Sequence, residues 1–128
     1  MVISKEITAL IYNYPPEIKA AVQISKGSRD IAEKTLHTGS SKTITLNLTG
    51  LKPNSTFEIE ILDENNGNIL KKWMEMGMPD PATREQTIQL KAYAMATKKY
   101  TVKADKKGNL VWNETLLPWA VAVLKQIK

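Results

Sequence analysis

The sequence predicts a mainly β protein, an antiparallel β-sandwich with a two-helix insertion, in one domain over residues 1–128. Three observations support this fold class. Several short stretches alternate apolar and polar side chains, which is the period of a strand with one buried face. Turn-forming runs separate these stretches. Helical spacing is confined to about residues 68–98, and the chain shows no βαβ rhythm and no glycine-rich phosphate loop.

The composition is that of an ordinary globular domain, with 42% hydrophobic and 24% charged residues. The chain has no cysteine, which excludes a disulfide framework, a thiolate metal site and a thiol nucleophile. The net charge of +5 comes from scattered lysines, so we expect a solvated surface and no nucleic-acid partner. The sequence shows no apolar run of about 20 residues and no signal peptide. We therefore expect no membrane contact and a cytoplasmic protein.

The N-terminal half is predicted to hold five strands, at residues 7–14, 18–24, 31–37, 44–48 and 56–62. The first is a continuous apolar run, which fits a strand buried on both faces or a central strand of the sandwich. For residues 18–24 a helix that begins after the prolines is the alternative. For residues 31–37 the run Ala-Glu-Lys would also suit a helix. The last two strands alternate clearly and predict an antiparallel pair.

Two helices are predicted next, one after the turn at residues 63–67 and one at about residues 83–97. Asn68 or Asn66 can cap the first helix, and Gly77 can take the left-handed conformation that ends it. Thr83 and Gln86 have the spacing of a capping box for the second helix. We expect the apolar face of that helix to consist of Ile88, Ala92 and Met95, with Leu90 and Tyr93 beside them.

Three strands complete the prediction, at residues 100–104, 110–116 and 118–127. A hairpin turn at residues 105–109 joins the first two. In the last strand Ala120, Ala122 and Leu124 share one face, and the intervening residues share the other.

The second half of the chain carries distinctive motifs. They are DENNGN at residues 63–68, a helix that holds Trp73, MGMPDP at residues 76–81, and a helix that opens with TREQ at residues 83–86. Together these resemble the C-terminal region of glycoside hydrolase family 39 β-xylosidases. The resemblance continues through residues 90–92 to 117–124, so that it covers about residues 44–128. Residues 11–14 look like that region's opening strand.

Two parts of the sequence depart from that family. Residues 15–43 match nothing that we can name. Asn66 stands where the family usually has a histidine, so no role of that imidazole carries over to this chain.

The resemblance implies a non-catalytic accessory domain of a retaining enzyme that releases xylose from the non-reducing ends of xylo-oligosaccharides, within xylan degradation. The two catalytic glutamates of the family belong to a TIM-barrel domain, and no residue of this chain maps onto them. The implied partner is therefore a catalytic (β/α)8 barrel, and a homo-oligomer is a further arrangement to test. We expect that this chain alone is no enzyme.

No catalytic, cofactor-binding or metal-binding residue is predicted. Glu58 and Glu60 lie on the polar face of a strand, where solvated carboxylates are normal. Asp63 and Glu64 precede a helix, whose dipole stabilises acids there. His37 is the single histidine, which leaves it without a second imidazole or a thiolate for a metal site.

The three tryptophans are candidates for stacking on a sugar. Trp73 and Trp119 fall on apolar faces, so we expect both in the core. The face of Trp112 is ambiguous between core and surface, which makes Trp112 the candidate sugar contact. The rival function is therefore a stand-alone carbohydrate-binding module, which exposure of Trp112 would favour.

A docking surface is predicted from apolar residues that one sandwich face does not require. They are the run of residues 7–14, in particular Ile11, Tyr12 and Tyr14, and the pair Met76 and Met78. Contiguous exposed apolar patches mark interaction sites, and methionines adapt to irregular partner surfaces. We therefore expect the chain to bind protein rather than sugar.

Overall fold

Six strands in two antiparallel sheets form the frame of the protein in a computed structural model, which describes residues 6–16 and 29–127. The strands are β1 (Thr8–Tyr12), β2 (Lys42–Leu48), β3 (Thr56–Leu62), β4 (Lys98–Lys103), β5 (Leu110–Leu116) and β6 (Val121–Ile127). One sheet has the order β1-β6-β3-β4, and the other pairs β2 with β5. The predicted mainly β, antiparallel fold is confirmed.

The core lies between the two sheets. Strand β3 pairs with both β4 and β6, and its inward side chains are almost fully buried. The buried apolar residues of the strands are Phe57, Ile59, Ile61, Leu110, Trp112, Leu116, Ala122 and Leu124. These positions follow the predicted period of two, because each strand turns one face to the opposite sheet.

Strand β1 is an edge strand, so the prediction of a central strand or one buried on both faces was wrong. Among the described strands it pairs with β6 alone. Ala9 and Ile11 pack against the core. Leu10 and Tyr12 point outward and are 62% and 64% exposed. One face of this apolar strand therefore belongs to the core, and the other face lies on the surface of the protein.

Helix α1 (Arg29–Leu36) replaces the strand that was predicted at residues 31–37. Asp30 in its first turn and Lys34 in its last turn complement the helix dipole. The side chains of Thr35 and Thr38 donate hydrogen bonds to carbonyls four residues earlier. The helix that the run Ala-Glu-Lys favours therefore forms here instead of the predicted strand. The strand predicted at residues 18–24 lies outside the described residues.

The last strand begins later than predicted, at Val121 instead of residue 118. A turn precedes it, in which the amide of Ala120 donates to the carbonyl of Leu117 at 3.0 Å. Pro118 has no amide hydrogen for a sheet ladder, and Trp119 has a left-handed φ of 68°. The regular pairing therefore ends at Val121, and Trp119 and Ala120 bond irregularly with Asn13 beyond it.

The helical insertion consists of α2 (Ile69–Glu75) and α3 (Arg84–Ala94). Asn68 caps α2, Gly77 has a φ of 87°, and the capping box of Thr83 with Gln86 is present. These predicted ends are confirmed.

The burial predicted for the two helices was wrong. Neither helix contains a buried residue. Ile88 and Met95, assigned to an apolar face, are 58% and 71% exposed. Trp73 is half-buried, and its indole donates to the carbonyl of Pro79 at 3.0 Å, so it is not a core anchor. The short helices pack on each other outside the core.

A series of side-chain hydrogen bonds joins the two sheets near Trp112. The Trp112 indole donates to the Tyr100 hydroxyl at 2.8 Å, and that hydroxyl lies 2.8 Å from Glu114 Oε2. Burial raises the pKa of the Tyr100 hydroxyl. Burial acts to raise the pKa of Glu114 as well, but hydrogen bonds from Tyr100, the Thr115 amide and Lys98 outweigh it and hold that pKa below its ordinary value of 4.5.

We expect Glu114→Gln to lower the free energy of unfolding at pH 7 by about 1–2 kcal/mol, since a charge-assisted hydrogen bond is lost. A depressed carboxyl pKa contributes stability above the ordinary pKa, and that stability is lost as the pH falls through the depressed value. The difference between the parent and the variant should therefore shrink between pH 5 and pH 2 in urea titrations. Glu58→Gln on the exposed face of β3 is the control. A difference that stays constant with pH would contradict the assignment.

Candidate docking surface

The outer face of the four-stranded sheet carries an apolar patch next to its β1 edge. The strand register places Tyr12, Val121 and Leu62 in one row across β1, β6 and β3. Leu10 and Val123 lie side by side in the next row. Leu10 and Tyr12 are largely exposed, as noted above, and Leu62 is 45% exposed. We call these five residues the outer apolar face.

Charged residues lie next to the outer apolar face on the same side of the sheet. Lys125 lies opposite Glu58, and Lys99 lies opposite Glu60 at a nitrogen–oxygen distance of 3.8 Å. The Thr97 hydroxyl donates to Glu60 at 2.7 Å. An antiparallel sheet with one solvated face normally carries polar residues along that whole face. The apolar half is therefore a local exception with a charged rim, which is the pattern of an interaction surface.

A cavity of about 270 Å³ opens at the end of the outer apolar face, and Leu62 belongs to both. We call it the Trp119 cavity. Its apolar lining consists of Leu36, Leu62, Gly67, Ile69, Pro118 and Trp119. Asp63, Glu64 and Asn68 complete it.

Gly67 lines the Trp119 cavity and has no side chain that would crowd it. It is buried and has a φ of 81°. A Cβ there would lie 2.8 Å from Leu62 Cδ1 and 3.1 Å from Thr97 Cγ2. Only glycine combines this backbone conformation with this close approach.

Trp119 is held in the cavity by contacts on several sides. Its amide donates to the carbonyl of Asn13 at 2.8 Å, and its indole donates to the carbonyl of Thr35 at 2.7 Å. The Tyr14 ring meets it edge to face, with ring centroids 5.1 Å apart. Trp119 is half-buried and lies outside the core assigned to it from the sequence.

The five residues predicted for a docking surface lie in different places. Tyr12 is part of the outer apolar face, and Tyr14 is 44% exposed beside Trp119. Ile11 packs against the core. Met76 and Met78 are half-buried and follow the last turn of α2.

Leu10 lies within the predicted run of residues 7–14, but the sequence prediction missed Leu62, Val121 and Val123. Each has the outward parity of its strand. The sequence shows which residues alternate to the outside of each strand. It does not show that β1, β6 and β3 lie next to one another in the sheet.

Trp112 offers a sugar no stacking surface. It is 2% exposed, and its indole hydrogen bond ends inside the protein on Tyr100. A stacking platform needs an exposed ring face, so the contact predicted at Trp112 is not available in this structure.

Three of the four carboxylates considered for chemistry, Glu60, Asp63 and Glu64, are engaged in structural contacts. Asp63 Oδ1 accepts from the Asn65 amide and from the Asn66 side chain, both at 2.8 Å. Asn66 thus closes a turn at the position where the resembling family has histidine. Glu64 Oε1 lies 3.5 Å from His37 Nδ1. Within residues 6–16 and 29–127 no group of three His, Cys, Asp or Glu side chains could hold a metal ion.

A larger open cavity of about 670 Å³ lies at the other end of β3 and β6. Residues 6–7, 50–56 and 126–127 line it. Glu6 is the single carboxylate among them, and the buried Ser55 hydroxyl has no hydrogen-bond partner. This set supplies no recognisable chemistry. In the described part of the chain, no helix is both long and apolar enough to cross a membrane.

Comparison with known proteins identifies the fold. The chain matches no protein-family model and no curated protein sequence. Among solved structures it is similar to the GH39 enzyme from Xanthomonas axonopodis pv. citri, with a TM-score of 0.65 and 15% identity, over 98% of this chain and 24% of that one. It is also similar to a monomeric β-xylosidase from Caulobacter crescentus CB15, with a TM-score of 0.66 and 18% identity, over 94% of this chain and 24% of that one.

A third similar structure is the bacterial orthologue of human α-L-iduronidase, with a TM-score of 0.56 and 14% identity. There the match covers 94% of this chain and 22% of the other. The chain thus spans about a quarter of the length of each of these proteins. It has the fold of a small domain found within family 39 β-xylosidases and related glycosidases.

Proposed function

We propose that this chain is a non-catalytic accessory domain of a family 39 type glycoside hydrolase, which packs through its outer apolar face on a catalytic (β/α)8 barrel. The observation that carries the proposal is the outer apolar face itself. Leu10 and Tyr12 leave most of their surface in water, although they lie on a strand whose other face is in the core. Such a patch is stabilised when a partner covers it.

The similar structures support a partner within a larger enzyme. Each of them contains this fold in about a quarter of its chain, and their names describe a GH39 enzyme and a β-xylosidase. The proposed setting is therefore an enzyme that acts on xylo-oligosaccharides in xylan degradation. A homo-oligomer built through the same face is the competing arrangement.

The residues of this chain support the non-catalytic role. A retaining glycosidase needs two carboxyl groups about 5–5.5 Å apart that flank the scissile bond. Glu60 instead pairs with Lys99 and Thr97, and Asp63 accepts hydrogen bonds within its own turn. These contacts indicate that Glu60 and Asp63 stabilise the fold.

A carbohydrate-binding module remains the rival because Trp119 is partly accessible in a cavity that Glu64 also lines. Sugar binding requires several polar groups that converge on the ring hydroxyls. In the Trp119 cavity six of the nine lining residues are apolar. That lining favours the docking role.

The experiment is a chromogenic β-xyloside assay together with calorimetric titration of xylose, xylobiose and xylotriose into the purified chain. We expect background turnover and no saturable heat, since Glu60 and Asp63 are engaged in contacts of the fold and the ring of Trp112 is buried. An intact family 39 β-xylosidase is the positive control. Turnover that disappears on changing a carboxylate of this chain would overturn the non-catalytic role. Saturable binding at micromolar sugar would establish the carbohydrate-binding module instead.

A further inference from the structure

We propose that the Trp119 cavity is the anchor point of the docking surface, where the partner inserts one aliphatic side chain and places a cationic side chain against Glu64. This inference rests on the proposed function and specifies the partner chemistry at one point of the interface. Interfaces concentrate their binding energy in a few side chains that fill well-formed pockets. The cavity adjoins the outer apolar face through Leu62, so one partner surface can cover both.

The size of the cavity fits a side chain better than a separate ligand. Small-molecule sites usually enclose about 300–1,000 Å³. The Trp119 cavity has about 270 Å³ and is open on one side. Its apolar lining comes from five segments, namely α1, the end of β3, the turn after β3, the start of α2 and the turn before β6. An aliphatic group that fills the cavity is surrounded by these segments.

The cavity wall is fixed before any partner arrives. Trp119 has a φ of 68°, a left-handed conformation that is a genuine outlier for a bulky residue. Its two hydrogen bonds, to Asn13 and Thr35, define both its backbone and its ring. A pocket that is already ordered loses little conformational entropy on binding.

The polar groups of the cavity leave little for a sugar to bind. Asn68 Oδ1 accepts from the Lys71 amide, and its Nδ2 donates to the carbonyl of Glu64. Asp63 Oδ1 already accepts two hydrogen bonds from its own turn. A buried sugar hydroxyl without a partner costs binding energy, whereas an aliphatic side chain needs none.

The acidic residues at the rim of the Trp119 cavity indicate which partner side chain lies beside the inserted aliphatic group. The side chain of Glu64 is 32% exposed, and its ion-pair partner in the described part of the chain is His37. The nearby Lys71 directs its ammonium group to Asn65 at 3.2 Å. Asp63 and Glu64 therefore form an acidic rim, which complements an arginine or a lysine.

The test uses two capped dipeptides, N-acetyl-Leu-Arg amide and N-acetyl-Leu-Glu amide, and xylose as the sugar probe. Each is titrated into the ¹⁵N-labelled chain while the Trp119 indole and Gly67 amide resonances are followed. We expect the Leu-Arg probe to shift both resonances with a Kd of about 1 mM. The Leu-Glu probe should bind about five-fold more weakly, because its charge has the same sign as the rim.

Two pairs of variants locate the binding. Ile69→Trp narrows the cavity from a 45% exposed position and should abolish the shifts, whereas Ile88→Trp, on the exposed side of α3, should preserve them. Glu64→Lys should remove the preference for Leu-Arg. Glu85→Lys, an exposed acid in the first turn of α3, should retain it.

Three outcomes would overturn the inference. One is the absence of shifts at about 10 mM of either dipeptide. Another is saturable shifts with xylose alone, which would make the cavity a sugar site. The third is a shift of the same resonances with protein concentration alone, which would assign the cavity to a second copy of this chain. If the dipeptides fail while the chain still associates with a catalytic barrel, only the anchor point is lost and the proposed function stands.

Discussion

The hydrogen bonds of Asn13 determine where the edge strand, the last turn and the cavity lie relative to one another. Asn13 is 3% exposed, and its side-chain amide donates to the carbonyls of Ser40 and Leu116 at 2.9 and 3.0 Å. Its backbone exchanges hydrogen bonds with the turn before β6, donating to Ala120 and accepting from Trp119. One buried residue thus connects β1 to the end of β5, to the loop between α1 and β2, and to the turn before β6. Buried hydrogen bonds of this kind are directional and costly to lose. The side-chain oxygen of Asn13, in contrast, is buried without a hydrogen-bond partner, so the donor groups of Asn13 carry this connection.

The conformation of Trp119 follows from this connection. A left-handed backbone costs an ordinary residue about 1–2 kcal/mol. The two hydrogen bonds that Trp119 donates, to Asn13 and to Thr35, contribute about 0.5–1.5 kcal/mol each and so offset that cost. The Thr35 carbonyl, in the last turn of α1, accepts from the Thr38 amide at 3.1 Å as well as from the indole, so Trp119 is tied to a carbonyl that the chain turn after α1 already holds in place. The cavity is therefore a product of the fold and not of a flexible loop.

An edge strand that is apolar on both faces is unusual for an isolated domain. Proteins normally protect sheet edges with charges or with covering segments. At the opposite edge β4 carries Lys98, Lys99 and Lys103, which fits that rule. At the β1 edge Leu10 and Tyr12 have no such protection on the outer face. The two edges of one sheet thus differ, and the proposed docking of the β1 edge gives that difference a physical reason.

Local chemistry made most of the fold predictable. The alternation in β2 and β3, the Asn68 cap and the capping box of Thr83 all depend on neighbouring residues, and all appear as predicted. The errors concern information that is not local. Ile88 and Met95 have helical spacing but face solvent. The prediction failed there because the spacing does not say which side of α3 meets the rest of the protein. The apolar run at β1 showed that both faces are apolar but not which one the core takes. The cavity could not have been predicted, since its lining residues come from five segments, of which α1 and the turn before β6 are distant in the sequence from the others.

Hydrogen–deuterium exchange of this chain with and without a separately produced family 39 catalytic barrel is the most direct test of the docking surface. We expect barrel-dependent protection in residues 8–12, 62–69 and 119–123, which hold the outer apolar face and most of the Trp119 cavity. Leu10→Ser with Tyr12→Ser should abolish it, whereas Ile88→Ser with Met95→Ser, equally exposed but on α3 and just beyond it, should not. Protection confined to β4 or to the β2–β5 sheet, or no protection at any barrel concentration, would contradict the account.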